Sequence, residues 1–270
     1  MVYMIKYNAM VGNDDGINSI GLDILVSNAE KYFKPNIVAP IHQNTGKGKS
    51  MTFNKPIRVL NHKTRSNYSG KAYDGSPADG LFVHNFFYNK PDLVLSGINS
   101  GENTSIHSIL TSGTVGLALE AGLQNIPSFA FSMDVPEIYF FKDDFPGELN
   151  KFAEIGVKIA KLLYDELSKA SWERLLLVNI NFPDTFSKNI KIEVVKPDNY
   201  KYVNYLRENK DPSGDPYYWL WGDKKETFDT QKDSYKIYID KSITISPISF
   251  SDTSDIESKI KDLINTKLVL

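Results

Sequence analysis

The spacing of three short segments at the start of the chain restricts its fold more than any other feature. Tyr7-Asn8-Ala9-Met10-Val11-Gly12 reads as a buried strand stopped by the turn-forming Asn13-Asp14-Asp15-Gly16. Ile20, Leu22, Ile24 and Leu25 then open a helical pattern that reaches about Tyr32, and Asn36-Ile37-Val38-Ala39-Pro40 is a second strand closed by proline. A strand, a helix and a strand at this spacing imply a parallel crossover, which is right-handed in nearly all sheets. The same rhythm continues. Pro91 to Ser96 is an apolar strand, followed by a loop from Gly97 to Asn103. A helix follows from about Thr114, with small residues where it would lie on a sheet. Strands are predicted at Ser128 to Ser132 and Leu175 to Ile180. Between them Leu149, Phe152, Ile155, Gly156, Ile159, Leu162 and Leu163 recur at helical spacing. The expected fold is α/β, a doubly wound and mostly parallel sheet.

After about Lys196 the texture changes to aromatics and turn residues, as in Asp211-Pro212-Ser213-Gly214-Asp215-Pro216-Tyr217-Tyr218-Trp219. Tyr235 to Ile239 and Ser242 to Ser246 alternate in polarity across Asp240-Lys241, which predicts a hairpin there. Ser254 and Glu257 are spaced as a capping box before a helix that places Ile256, Ile260, Leu263 and Ile264 on one face. Residues 1–196 are therefore expected to form the α/β core. Residues 197–270 are expected to form a C-terminal β-hairpin and helix appendage of the same single domain. Aromatics such as Tyr217, Tyr218 and Trp219 suit a subunit interface better than base stacking.

Composition narrows the class. A chain of 270 residues can bury one large core. The net charge of −2 arises from interspersed acids and bases, so a polynucleotide partner is not expected. With no cysteine, disulfides, thiolate metal sites and a cysteine nucleophile are all excluded, in keeping with a reducing cytoplasm. The first ten residues lack the apolar core of a signal peptide and no apolar run is long enough to span a membrane, so a cytoplasmic location is expected.

In open α/β sheets ligands bind outside the carboxyl ends of the strands, where three loops converge here. The first offers Asp14 and Asp15, the second runs from Gln43 to Ser50 with hydroxyls, glycines and lysines, and the third carries Asn99 and Asn103. Adjacent carboxylates repel one another unless a cation or proton compensates, and oxygen donors without cysteine suit Mg²⁺ or Mn²⁺. The competing reading makes Asn13-Asp14-Asp15-Gly16 a turn and helix cap. Thr111-Ser112-Gly113-Thr114 places hydroxyls and free N–H groups at a helix start, which is either an anion site or an ordinary N-cap. Metal and anion sites together point to phosphoryl chemistry. His42 and His107 lie on these loops and read as solvent-exposed rather than catalytic.

Taken in order, Asn13-Asp14-Asp15-Gly16, Val38-Ala39-Pro40, Gly75-Ser76-Pro77-Ala78-Asp79, Ser96-Gly97-Ile98-Asn99-Ser100-Gly101 with Asn103, and Ser112-Gly113-Thr114-Val115 resemble the SurE survival proteins. The resemblance continues more weakly through Asp211-Pro212-Ser213-Gly214 and Ile243 to Ile248, so it spans nearly the whole chain. It implies a Rossmann-like three-layer fold and a metal-dependent phosphomonoesterase of the 5'-nucleotidase type. Such an enzyme hydrolyses nucleoside monophosphates or other small phosphate esters with a metal-activated water. A nucleotide sensor with little turnover is the alternative. The resemblance also implies one divalent ion per subunit, held by Asp14, Asp15, Thr45 and Asn99. Asp14, Asp15 and Asn99 would be catalytic. Asn13, Gly46, Asn99, Asn103, Ser112, Gly113 and Thr114 would bind phosphate or substrate. Thr45 stands where the family has serine and keeps the hydroxyl, and Gly80 stands where it usually has cysteine. His107 and Ser108 lie where an acidic pair is common. A homodimer or homotetramer is expected, with exchange of elements between subunits.

Overall fold

The computed structural model describes residues 7–136, 148–252 and 254–268. One nine-stranded sheet organises them. Its strands are β1 (Asn8–Gly12), β2 (Lys34–Pro40), β3 (Val59–Lys63), β4 (Ser69–Tyr73), β5 (Leu93–Ser100), β6 (Ser128–Met133), β7 (Leu177–Phe182), β8 (Ile192–Val194) and β11 (Ile243–Ile248). They lie in the order β3-β4-β2-β1-β5-β6-β7-β11-β8. From β4 across to β7 every pairing is parallel, while β3 runs antiparallel to β4 and β11 antiparallel to β7.

Side chains alternate across a strand, and here both sets are apolar, as a sheet covered on both faces requires. Ala9 and Val11 of β1, Leu93 and Leu95 of β5, and Phe129 and Phe131 of β6 face one layer, joined by helices α1 (Ile20–Ala29), α5 (Leu149–Glu166) and α8 (Ser254–Lys267). Met10, Val38 and Val94 face the opposite layer with α2 (Asp79–Tyr88) and α4 (Gly113–Leu123). α5 is amphipathic. Its Phe152, Ile155 and Ile159 are buried, while at the surface Lys158 pairs with Glu154 and Lys151 with Glu148. Phe152 stacks on Phe182 at 5.2 Å. Phe152→Ala would cost about 3–5 kcal/mol, the usual range for emptying a buried aromatic position.

The sequence expectation fails in three places. No hairpin forms at Tyr235 to Ser246. Residues Asp233–Tyr238 are helix α7 and Ile243–Ile248 are β11, inserted into the main sheet between β7 and β8. A strand would send Ile237 and Tyr238 to opposite faces, whereas the helical turn buries both. The hairpin lies earlier, in β9 (Tyr202–Lys210) and β10 (Pro216–Lys224). Asp211 closes its tip by accepting the N–H groups of Ser213 and Asp215 at 2.8 and 3.0 Å. β5 also runs on through Ser100 where a loop was expected from Gly97. Gly97 has φ +137°, and a Cβ there would lie 2.4 Å from the Phe131 carbonyl oxygen, so no other residue fits that strand. Two short helices, α3 (Ile106–Thr111) and α6 (Lys169–Arg174), complete the elements of the described residues.

β11 and α8 place residues beyond Lys196 inside the core, whereas the hairpin stands apart with both faces open. Leu206, Trp219 and Leu220 are 65, 62 and 72% exposed. Among the described residues no helix is long and apolar enough to cross a membrane.

Candidate active site

β1 pairs with β2 on one side and with β5 on the other. The chain turns back across β1 after β4, so the carboxyl ends of β1 and β5 flank the crevice where an open α/β sheet binds ligands. Asp14 and Asp15 leave the end of β1 and Asn99 sits near the end of β5. The loop after β2 folds over them, with the Asn44 N–H donating to the Asp14 carbonyl at 2.7 Å and the Gly48 N–H to Thr111 at 2.8 Å.

Asp14 is buried and points at the start of α4. The Thr114 hydroxyl donates to its Oδ1. Gly113 makes the approach possible, since a Cβ there would fall 2.7 Å from the Asp14 Cβ and 2.8 Å from Pro77. Burial pushes the Asp14 carboxyl up, and the Thr114 hydroxyl and the backbone at Gly113 and Thr114 pull it down without cancelling the effect. A carboxyl in this position takes either a proton or a cation. Asp15 is half-buried and accepts the Ser100 N–H at 3.3 Å and the Gln43 side chain at 3.4 Å.

Asn99 is half-buried, and its Nδ2 donates to the Gly101 carbonyl at 2.5 Å. That bond fixes the amide, so its oxygen is the end available to a cation. Thr45 is exposed, two residues beyond Gln43. Two carboxylates, a carboxamide oxygen and a hydroxyl are hard oxygen donors that fit Mg²⁺ or Mn²⁺. Among the described residues no three His, Asp or Glu side chains cluster as a nitrogen-rich or all-carboxylate site would need.

The other expected residues are placed as follows. Asn13 is buried and spends its carboxamide on the loop, donating to Gly16 at 3.1 Å and Ser19 at 2.6 Å while accepting the Gly16 N–H at 3.1 Å. Gly46 is exposed with φ +76°. Ser112 caps α4 by accepting the Val115 N–H at 3.2 Å. Asn103 is buried beneath the site, its Nδ2 on Ser132 at 2.7 Å and its N–H on Asn181 at 2.7 Å. The geometry thus gathers Asp14, Asp15, Asn99, Gly113 and Thr114, and uses Asn13, Ser112 and Asn103 to hold loops in place. His42 and His107 are exposed.

Sequence reasoning missed three charged groups under the third loop. Glu102 and Lys201 form a buried ion pair, and Tyr238 donates its hydroxyl to the same carboxylate. Burial alone would raise the Glu102 carboxyl, and the Lys201 ammonium reverses this, leaving it below the usual range. Asp134, just beyond β6, is pushed up to about 7 by burial and then by the negative charge of Glu102. The available signal was a glutamate inside a motif loop at a strand end, where a buried charge demands a partner.

Comparison with known proteins identifies the family. The sequence profile of the survival protein SurE family matches residues 9–204. The 5'-nucleotidase SurE of Methanosarcina barkeri is 35% identical over 255 residues, covering 92% of this chain and 94% of that protein. The 5'-nucleotidase SurE of Thermococcus kodakarensis is 30% identical over 250 residues, covering 91% and 93%. The crystal structure of the SurE protein from Aquifex aeolicus superposes with a TM-score of 0.73 at 28% identity, covering 95% of this chain and 99% of that one. With a family match over most of its length and relatives at this identity, the chain belongs to the SurE family.

Proposed function

We propose that this protein is a divalent-metal-dependent phosphomonoesterase that hydrolyses nucleoside monophosphates to nucleoside and phosphate, with the specificity of a 5'-nucleotidase. The observation that carries the reading is the buried Asp14 carboxyl beside Asp15 at the sheet's switch point, aimed at the start of α4. Relatives named 5'-nucleotidase SurE support the substrate class.

Asp14, Asp15, Asn99 and Thr45 would hold one Mg²⁺ or Mn²⁺ per subunit. Held by these residues, such an ion would supply Lewis-acid chemistry, activating water and polarising a phosphoryl oxygen. The protein's own part is placement. Thr114 locks Asp14 in one rotamer, the Ser100 N–H holds Asp15, and the Gly101 carbonyl orients Asn99. The start of α4 contributes positive dipole to a site that binds an anion. Such positioning and charge stabilisation carry most of phosphoryl transfer. Residues 197–270 belong to the same domain in this reading, and the hairpin mediates self-association as a homodimer or homotetramer. A cytoplasmic location fits the nucleotide substrate.

Rates on a panel of nucleoside 5'- and 3'-monophosphates and p-nitrophenyl phosphate, with Mg²⁺, Mn²⁺ or excess chelator, test this. Hydrolysis should need the ion and favour 5'-monophosphates. Binding of nucleotide without turnover on any ester would identify a sensor instead, and full activity in chelator would remove the ion from the mechanism.

A further inference from the structure

The geometry points to Lys201 as a positioning residue for this hydrolysis: by gripping Glu102 it fixes the turn that presents the Asn99 carboxamide to the two aspartates. The inference rests on the reading of Asn99 as a cation ligand. The Lys201 and Glu102 side chains are 5 and 2% exposed. The Lys201 ammonium donates both to the Glu102 carboxylate and to the Glu102 carbonyl, the latter at 2.6 Å. One cation therefore holds the side chain and the backbone of a single residue. Tyr238 of α7 adds its hydroxyl to the same carboxylate.

The residue before Glu102 is Gly101, whose carbonyl accepts the Asn99 Nδ2 at 2.5 Å and whose N–H donates to Met133 at 2.9 Å. Any movement of Glu102 is thus passed directly to the group that sets the Asn99 rotamer. Lys201 itself lies 99 residues along the chain from Glu102 and immediately precedes β9. Other bonds from the same stretch reinforce the clamp, with the Ile106 N–H on the Asp198 carbonyl at 2.7 Å and the Ser105 N–H on Asp233 at 2.8 Å. A buried ion pair is a poor way to gain stability, because an apolar pair of similar volume usually serves as well. What the apolar pair cannot do is hold the Glu102 carbonyl, and with it the turn.

The test uses the full chain, with free Mn²⁺ followed by electron paramagnetic resonance, alongside thermal melts and rates on p-nitrophenyl phosphate. Glu102→Gln combined with Lys201→Met removes both charges of the pair, so neither is left buried without its partner. It should melt within a few degrees of the wild type, yet bind Mn²⁺ roughly ten- to a hundredfold more weakly, the usual effect of removing a group that orients a ligand. Turnover at saturating Mn²⁺ should also fall, with a smaller change in KM. An unchanged Mn²⁺ Kd in the folded double variant overturns the inference. Should that variant fail to fold, Glu102→Met with Lys201→Met and Tyr238→Phe decides. It removes the Lys201 grip and leaves no polar side chain of the cluster without a partner, and an unchanged Kd there overturns the inference equally. Wild-type protein that binds Mn²⁺ but cleaves no monoester would refute the proposed function while leaving the Kd comparison decisive for Lys201. Wild-type protein that binds no Mn²⁺ overturns both.

Discussion

Thr114→Val isolates the contact on which the site depends most. Thr114 is fully buried near the start of α4 and gives its hydroxyl proton to Asp14 Oδ1. That hydroxyl is the largest influence opposing the rise that burial imposes on the Asp14 carboxyl. Valine preserves the β-branched shape and replaces the oxygen with a methyl, so packing is nearly constant and the change is electrostatic. A hydrogen bond to a charged group contributes about 1.5–3 kcal/mol. At about 1.4 kcal/mol per factor of ten, affinity for a divalent ion held by Asp14 should fall roughly 10- to 150-fold. The fold should lose no more than that amount, or about 3–12 °C in Tm for a chain of this size. Metal titrations of activity give the concentration for half-maximal rate, and Thr114→Ser, which keeps the hydroxyl, serves as the control. A valine variant with wild-type metal dependence and wild-type kcat would show that Asp14 does not rely on Thr114, and would remove the pair from the site.

Three further outcomes follow from the geometry. If the exposed Thr45 hydroxyl is a ligand, Thr45→Ser should retain most activity while Thr45→Val needs about five- to more than a hundredfold more metal, the range for losing a polar contact; unchanged metal dependence in the valine variant would exclude Thr45. His84 is wholly buried and pushed down to about 4, so it stays neutral in the fold while the unfolded chain takes up a proton near pH 6.5. Stability is therefore lost as pH falls from 6.5 towards 4, and at pH 4.5 the loss from this group is about 2.5 kcal/mol, which urea melts of wild type and His84→Leu at pH 7 and 4.5 should reveal as a difference present only in acid. Finally, the open faces of β9 and β10 should drive self-association, so that Trp219→Ser with Leu220→Asp shifts sedimentation towards monomer, and a wild-type monomer at high concentration would refute that role.

The sheet was legible in the sequence because its strands are apolar on both faces and separated by helices of ordinary length. Continuous runs such as Leu93-Val94-Leu95 and Leu177-Val178 could hardly be anything but parallel strands. Strands β3 and β4 were not legible. β3 is an edge strand whose Leu60 is exposed, and β4 opens with Ser69-Gly70-Lys71, so neither carries a period. The stretch Tyr235 to Ile239 failed for a different reason. Five residues of alternating polarity satisfy a strand and a single helical turn alike, and the helical turn is the one that buries both Ile237 and Tyr238. The hairpin was misplaced because its strands, exposed on both sides, have no buried face to impose a pattern.

The candidate site divides along the same physical line. Asp14, Asp15 and Asn99 were visible because turn residues at strand ends are a local signal, and the sheet's topology says where such ends converge. The partners that fix them were not visible, because they lie far away in sequence. Thr114 meets Asp14 across 100 residues, and Lys201 meets Glu102 across 99. Local periodicity has no term for such meetings, yet buried charge does have a rule. A carboxylate cannot stay ionised in a dry interior without a hydrogen-bond donor or cation, so each acidic residue assigned to a buried loop creates a demand for one elsewhere. Once the parallel order is assigned, Glu102 lies just beyond the carboxyl end of β5, and Lys201 meets its demand from the stretch between β8 and β9. Asp134 shows the unmet case. Burial and the negative charge of Glu102 outweigh the pull of Lys224 and Lys241 on it, and its carboxyl rises to about 7. The same reasoning separates the two acids: Lys201 holds the Glu102 carboxyl below the usual range, while burial leaves that of Asp134 above it.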